Sequence, residues 1–253
     1  MRDKYDVFER FQNSFNRMDG RFHVLEQRIP IEVQMEYFKY SEQMRKNKVK
    51  ISGDEYNMCI QSLANEMLSV SRKKYILSAL AISNDVKAFR LLEEYVQHPD
   101  PDITNWAYMA LMESRISLES ELLEEKQIYI STGLGGKGEK LRFYVLMVAS
   151  KEEPFQEYQR QTIEREFAYY LPKEDCEIER LRINDLYVEL LVLIPMRRDI
   201  KAILDRVLTE CNQYGNFVSD IITVTNVKEL STDEITEILD KRYGRSQNNQ
   251  AIL

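Results

Sequence analysis

The chain has 253 residues and a formal net charge of -7, from 35 Lys+Arg against 42 Asp+Glu. That length allows one or two domains, and the acidic balance excludes a protein that coats nucleic acid or an anionic membrane by bulk charge. With 43% hydrophobic residues the chain can bury a core, while three cysteines and two histidines exclude a disulfide scaffold and a His-rich metal site. Met1 to Asp6 runs straight into charged residues with no apolar leader, and the apolar stretch Leu190 to Pro195 is far short of a membrane span. The expectation is a cytoplasmic protein without a membrane partner.

In the first half the apolar residues recur at helical spacing. Phe8, Phe11, Phe15 and Met18 predict an opening helix, and Pro30 marks a break before a second over Ile31 to Arg45. Ser52 and Glu55 have capping-box spacing, so a third helix starts there with Tyr56, Cys59, Ile60, Leu63 and Met67 on its apolar face. Another runs through Tyr75, Ile76, Ala79 and Leu80. Asn84 is the expected N-cap of the next, which turns Val86, Phe89, Leu92 and Val96 inward. Asp100 then caps a helix with Pro101 at its first position, where the missing N–H costs nothing. Its stripe is Ile103, Trp106, Ala107, Ala110 and Leu111.

An offset of 31 residues lays Tyr75 on Trp106, Ala79 on Ala110, Leu80 on Leu111 and Ser83 on Ser114, which suggests stacked helix pairs. The segment Val86 to Met112, with its Pro99 to Asp102 turn and its Ala107, Ala110, Leu111 helix, resembles a HEAT repeat. It departs from that pattern where Asn105 and Trp106 stand in place of the usual Arg. The resemblance covers roughly 60 residues and implies a surface for protein contacts.

The second half changes period. Gln127 to Ser131 and Leu141 to Ala149 read as strands rich in Ile, Tyr, Phe and Val. Pro154 opens a helix that buries Phe155, Ile163, Phe167, Tyr170 and Leu171 and ends at Pro172. Strands over Cys176 to Ile183 and Leu186 to Ile194 follow, turned by Asn184-Asp185. Asp199 caps a helix with Ile200, Ile203, Leu204, Val207, Leu208 and Cys211 on one stripe, closed by Gly215. A strand over Phe217 to Val227 precedes a second capping box, Ser231 and Glu234. From Leu141 the order β-α-β-β-α-β resembles the split βαβ of the ferredoxin-like fold. The expected class is α+β: an all-helical, HEAT-like region over residues 1–126, a ferredoxin-like antiparallel-sheet domain with a Gly-rich hairpin over 127–230, and a short helix with a loose tail over 231–253.

Gly133, Gly135 and Gly138 match G-x-G-x-x-G, but a dinucleotide fold needs that motif to lead from strand to helix. Here it leads into a strand. Gly138 is followed by Glu139-Lys140, so the Walker pattern fails, and the kinase motifs H-R-D and D-F-G are absent. His23 and His98 are far apart, Cys59 and Cys211 fall on apolar stripes, and no C-x-x-C occurs. No cofactor, metal or catalytic residue is indicated. What remains is basic: Arg45, Lys46, Lys48 and Lys50; Arg72, Lys73 and Lys74; Arg197 and Arg198; and, on the glycine loop, Lys137 and Lys140. An RNA-binding split βαβ would carry stacking aromatics on its central strands, for which only Phe143, Tyr144 and Tyr187 qualify. The reading is a non-enzymatic interaction or regulatory module that binds another protein through Arg45, Lys46, Lys48, Lys50, Lys73, Lys74, Lys137 and Lys140, with a homodimer through the sheet edge as a further expectation. A nucleic-acid- or ribosome-associated protein contacting phosphates is the alternative. An enzyme or metabolite sensor with a pocket between the domains is the third reading.

Overall fold

The computed structural model describes residues 21–51, 54–65, 67–122 and 127–245. The expected helix over Phe8 to Met18, the Ser52 cap and the tail beyond Arg245 lie outside the described residues. The chain divides into two compact units, one over Asp19–Gly133 and the other centred on Leu134–Leu253. Each mixes or pairs elements in its own way, and together they are helix and sheet, as α+β requires.

The first unit holds β1 (Arg21–Val24), α1 (Ile31–Lys46), α2 (Tyr56–Leu63), α3 (Val70–Ala81), α4 (Val86–Tyr95), α5 (Thr104–Leu122) and β2 (Gln127–Ile130). Each amphipathic helix buries one stripe. Tyr37, Leu77, Leu80, Leu92, Ile103 and Trp106 meet in one core. Asp100 accepts from the Asp102 amide at 2.9 Å and starts the turn before α5, so a short acceptor does the capping that its position demands. Asn84 does not cap α4. It takes the left-handed region at φ 55°, and Asp85 accepts from the Lys87 amide at 2.7 Å instead.

The unit is not purely helical. β2 pairs in parallel with β1, Arg21 opposite Gln127 and Val24 opposite Ile130. The strand assigned from sequence to the sheet domain at residue 127 therefore belongs with the helices, and the division falls at Gly133 and Leu134. Its partner lies about a hundred residues upstream, which no local pattern reveals.

The second unit holds β3 (Gly136–Lys137), β4 (Lys140–Ala149), α6 (Glu157–Lys173), β5 (Glu177–Ile183), β6 (Tyr187–Pro195), α7 (Ile200–Asn212), β7 (Val218–Thr225) and α8 (Thr232–Tyr243). β4 is central. It pairs antiparallel with β6 on one side and with β7 on the other, and β5 pairs antiparallel with β6. The order is thus β7-β4-β6-β5, with β3 beside the start of β4. Helices α6 and α7 pack beside one another, α6 against β5 and α7 against β7. α6 carries Pro172 within its last turn and runs on to Lys173, past the expected stop.

β4 alternates between two apolar surroundings. Tyr144, Leu146 and Val148 join Leu191 of β6 under Ile235 and Leu239 of α8, while Phe143, Val145 and Met147 between them are also buried. Neither edge of the sheet is plain. β5 has a register shift between Ile178 and Arg180 and carries Glu177, Glu179, Arg180 and Arg182, and β7 has a shift opposite Met147 to Ala149. Bulges and charges of this kind oppose edge-to-edge pairing.

Candidate nucleic-acid interface

The basic residues singled out from sequence are mostly taken up inside their own units. Arg45 donates to Glu113 through Nε and Nη2, at 3.2 and 2.9 Å, and Glu113 also accepts from the Tyr37 hydroxyl at 2.6 Å and from Ser41. Lys46 pairs with Glu42 at 2.7 Å. Lys73 is buried and pairs with Asp100. Lys74 donates to Glu36 at 2.7 Å and lies 4.2 Å from the Trp106 ring centroid. Such contacts fix α1, α3 and α5 against each other. Lys48 and Lys50 are exposed.

The glycine loop is a closed hairpin. Gly136 and Lys137 pair with Leu141 and Lys140, and Gly138 turns the chain at φ 57°. Lys137 and Lys140 both donate to Glu177, each at 2.9 Å, and Lys140 also reaches Asp175 at 2.9 Å. These bonds hold the Glu177 carboxyl down at about 2. Leu134 is buried against the α8 cluster. The loop's lysines are therefore committed to the β5 edge. The sheet face offers no stacking platform either: Phe143 and Tyr144 are buried, and α8 packs over Tyr144 and Tyr187.

The outward side of α6 and α7 is different. Residues 158, 165, 169 and 173 fall close to one line along a helix of 3.6 residues per turn. That line carries Tyr158, Arg165, Tyr169 and Lys173, opposite the buried Ile163, Phe167 and Leu171. Tyr158, Tyr169 and Tyr214 are each about half exposed, at 50%, 54% and 57%. Cations sit over the rings: Lys173 Nζ is 3.3 Å from the Tyr169 centroid, Arg165 is 5.5 Å from Tyr214, and Arg206 of α7 is 5.7 Å from Tyr170. Tyr169 and Tyr170 meet edge to face with centroids 5.0 Å apart. Burial, and then Glu210, raises the Tyr170 hydroxyl above its ordinary range.

The carboxylates paired with these arginines are recessed. Arg165 pairs with Glu166 and Arg206 with Glu174, and the arginine side chains are 60% and 63% exposed against 12% and 27% for the glutamates. These guanidinium groups therefore lie outside their own partners, although Glu157 and Glu164 of α6 and Asp205 of α7 are exposed as well. Flat rings alternating with outward cations can stack bases and neutralise phosphates, with about 1–3 kcal/mol per stacked base. The sequence reading placed Tyr170 on the buried side of α6 and left Tyr158, Tyr169 and Tyr214 unassigned. The signal present was an aromatic and cationic line on the polar side of one helix. Among the described residues no group of three or more His, Cys, Asp and Glu could hold a metal ion, and no helix is long and apolar enough to cross a membrane.

No protein-family model matches the chain, and no curated protein matches it. Among solved structures it is similar to a "putative transposase" from Deinococcus radiodurans, with 12% identity and a TM-score of 0.38 over 43% of this chain and 95% of that one. It is also similar to a REP-associated tyrosine transposase bound to a REP hairpin, with 9% identity and a TM-score of 0.31 over 44% of this chain and 69% of that one. Transposases are enzymes, and the expectation of a non-enzymatic interaction module is corrected on that finding. At these scores the likenesses carry no residue role or activity over to this chain.

Proposed function

We propose that the α6–α7 face of the second unit binds single-stranded nucleic acid, within a domain that we read as the ferredoxin-like split βαβ. The observation that carries this is the set of half-exposed rings Tyr158, Tyr169 and Tyr214, interleaved with Arg165, Lys173 and Arg206. Tyr158, Tyr169 and Tyr214 each keep apolar ring area in water that a stacked base would cover. A base has a π-face whatever its identity, so such a face binds single strands with little sequence preference. A duplex keeps its bases stacked within itself and offers these rings nothing. The net charge of -7 makes attraction local and strongly dependent on salt. Lys48 and Lys50 of the first unit, both exposed, remain a separate candidate for phosphate contact.

The test is fluorescence anisotropy with a labelled single strand of about 16 nucleotides and the matching duplex, across a salt series. Single strand should bind more tightly than duplex. Alanine at Tyr158, Tyr169 and Tyr214 together should weaken binding at least tenfold, while Arg165→Gln, Lys173→Gln and Arg206→Gln together should flatten the salt slope by about two, at about 0.7 per phosphate contact. Equal binding by the tyrosine triple variant, or no binding of single strand at about 50 mM salt, would overturn the reading.

A further inference from the structure

We infer that the cleft at the start of α6 accepts one nucleobase from a strand lying along that helix, an inference that rests on the α6–α7 reading above. The cleft has a volume of about 200 Å³. That is below the roughly 300–1,000 Å³ of sites for drug-sized molecules, so a single planar ring system suits it and a whole dinucleotide does not.

Its lining has the chemistry of a base pocket. Phe155 and Phe217 form an aromatic wall, their rings edge to face with centroids 6.4 Å apart. Gln156 and Asn216 bring exposed side-chain amides to the rim; Asn216 offers a donor and an acceptor to the hydrogen-bonding edge of a base, and Gln156, whose oxygen takes part in the capping box with Gln159, offers its donor. Two backbone amides beside them are already bonded, Ser150 N–H to Phe217 O at 2.9 Å and Phe155 N–H to Asp185 O at 2.8 Å, and the rim side chains supply polar groups for recognition. Lys151 at the rim suits the phosphate attached to the bound nucleotide, whereas Glu153, also at the rim, opposes the extra charge of a free di- or triphosphate.

The cleft is continuous with the tyrosine line. Phe217 lines it, and the Tyr158 ring meets Phe217 edge to face at 6.4 Å. Gln159, another wall residue, donates to the Tyr158 hydroxyl at 3.2 Å. From Tyr158 to Tyr169 the helix rises about 16 Å, at about 1.5 Å per residue. A strand with a base in the cleft can thus continue over Tyr158 toward Tyr169 and Lys173. At the fully stacked spacing of about 3.4 Å per nucleotide this length holds at most about five nucleotides.

The experiment uses the full chain and an oligothymidylate of about five nucleotides, too short to shift register freely. A single abasic site is moved along it, and binding is measured at each position. One position should lose about tenfold more affinity than the others, and Asn216→Trp, which fills the cleft from an exposed position, should remove that difference while the remaining positions respond as in the parent. A flat profile in a parent that still binds overturns the base pocket and leaves the tyrosine face standing. A position effect that survives both Asn216→Trp and Gln156→Trp also overturns it. Failure of the parent to bind any single strand removes the wider reading together with this one.

Discussion

Trp106 Nε1 donates to Ser78 Oγ at 2.9 Å, joining α5 to α3 across the core of the first unit. The indole is 1% exposed and Ser78 is fully buried, so the bond satisfies an N–H that water does not reach. Tyr37 and Tyr40 of α1 close on the ring edge to face, at 5.1 and 5.4 Å. Trp106→Ala should cost about 3–5 kcal/mol, and Ser78→Ala about 1–3 kcal/mol because it strands a buried N–H. Native emission should be that of a buried indole. Since Trp106 is the sole tryptophan, its fluorescence in a denaturant titration follows the first unit alone. A Ser78→Ala variant with an unchanged midpoint would show that the bond contributes nothing.

The bonds from Lys137 and Lys140 predict a specific acid sensitivity. They depress the Glu177 carboxyl to about 2 in the folded chain, against about 4.3 for a free glutamate. A group whose folded value is lowered contributes stability above its unfolded value, and loses it as pH falls through the folded one. The hairpin's contribution should therefore be complete above about pH 4.5 and fade toward about pH 2. Glu177 is partly exposed, at 44%, so screening keeps the effect modest. The measurement is the thermal midpoint of the parent and of Glu177→Gln between about pH 2 and 5. The parent should lose more over that window; parallel curves would mean the lysines do not hold the carboxylate.

What could be read beforehand was what neighbours in sequence decide. Asp199 accepts from the Ala202 amide at 3.1 Å, and Ser231 and Glu234 close their capping box, because a cap needs only residues three positions apart. The stripe from Ile200 to Cys211 is buried as its periodicity implies. β2 was misplaced because its partner, Arg21–Val24, is a four-residue strand remote in sequence. The ion pairs of the basic clusters were out of reach for a related reason. Arg45 and Glu113, or Lys73 and Asp100, meet only in the folded chain, so a run of cations looks free until its distant carboxylates are placed. The tyrosine face was hidden by spacing: Tyr158 and Tyr214 are 56 residues apart, and only the packing of α6 beside α7 brings Arg165 over Tyr214.

The three cysteines should separate by reactivity. Burial pushes the Cys211 thiol up to about 12 and the Cys176 thiol up to about 11. Cys59, also raised by burial and then by Glu55, is only half-buried. The thiolate is the reacting form. A disulfide reagent at about pH 8 should therefore label Cys59 first, with Cys176 and Cys211 slow until the chain unfolds. Cys59→Ser should delete the fast phase. A fast phase that survives it would place one of the other thiols in solvent.

The last prediction concerns the cover on the sheet. α8 is fixed at both ends: Glu234 accepts from the Ser231 amide at 2.9 Å at its start, and at its finish the Tyr243 hydroxyl donates to Ala149 O at 3.0 Å, with Gly244 in the left-handed region at φ 75°. Between them Ile235 and Leu239 close over Tyr144, Leu146, Val148 and Leu191. The apolar contact should dominate, because each buried aliphatic side chain is worth more than one hydrogen bond. Leu239→Ala should cost about 2–5 kcal/mol and Tyr243→Phe about 1 kcal/mol. Ending the chain at Glu229 removes the helix and bares the four β4 and β6 side chains as one patch. The shortened protein should keep its far-ultraviolet strand signal, since β4 retains β6 and β7 as partners, yet bind a hydrophobic dye that the full chain excludes. It should also still bind single strands through Tyr158, Tyr169 and Tyr214, which lie on α6 and beyond the end of α7 rather than on that sheet face. A shortened chain that binds no dye would mean α8 is not what keeps the face from water.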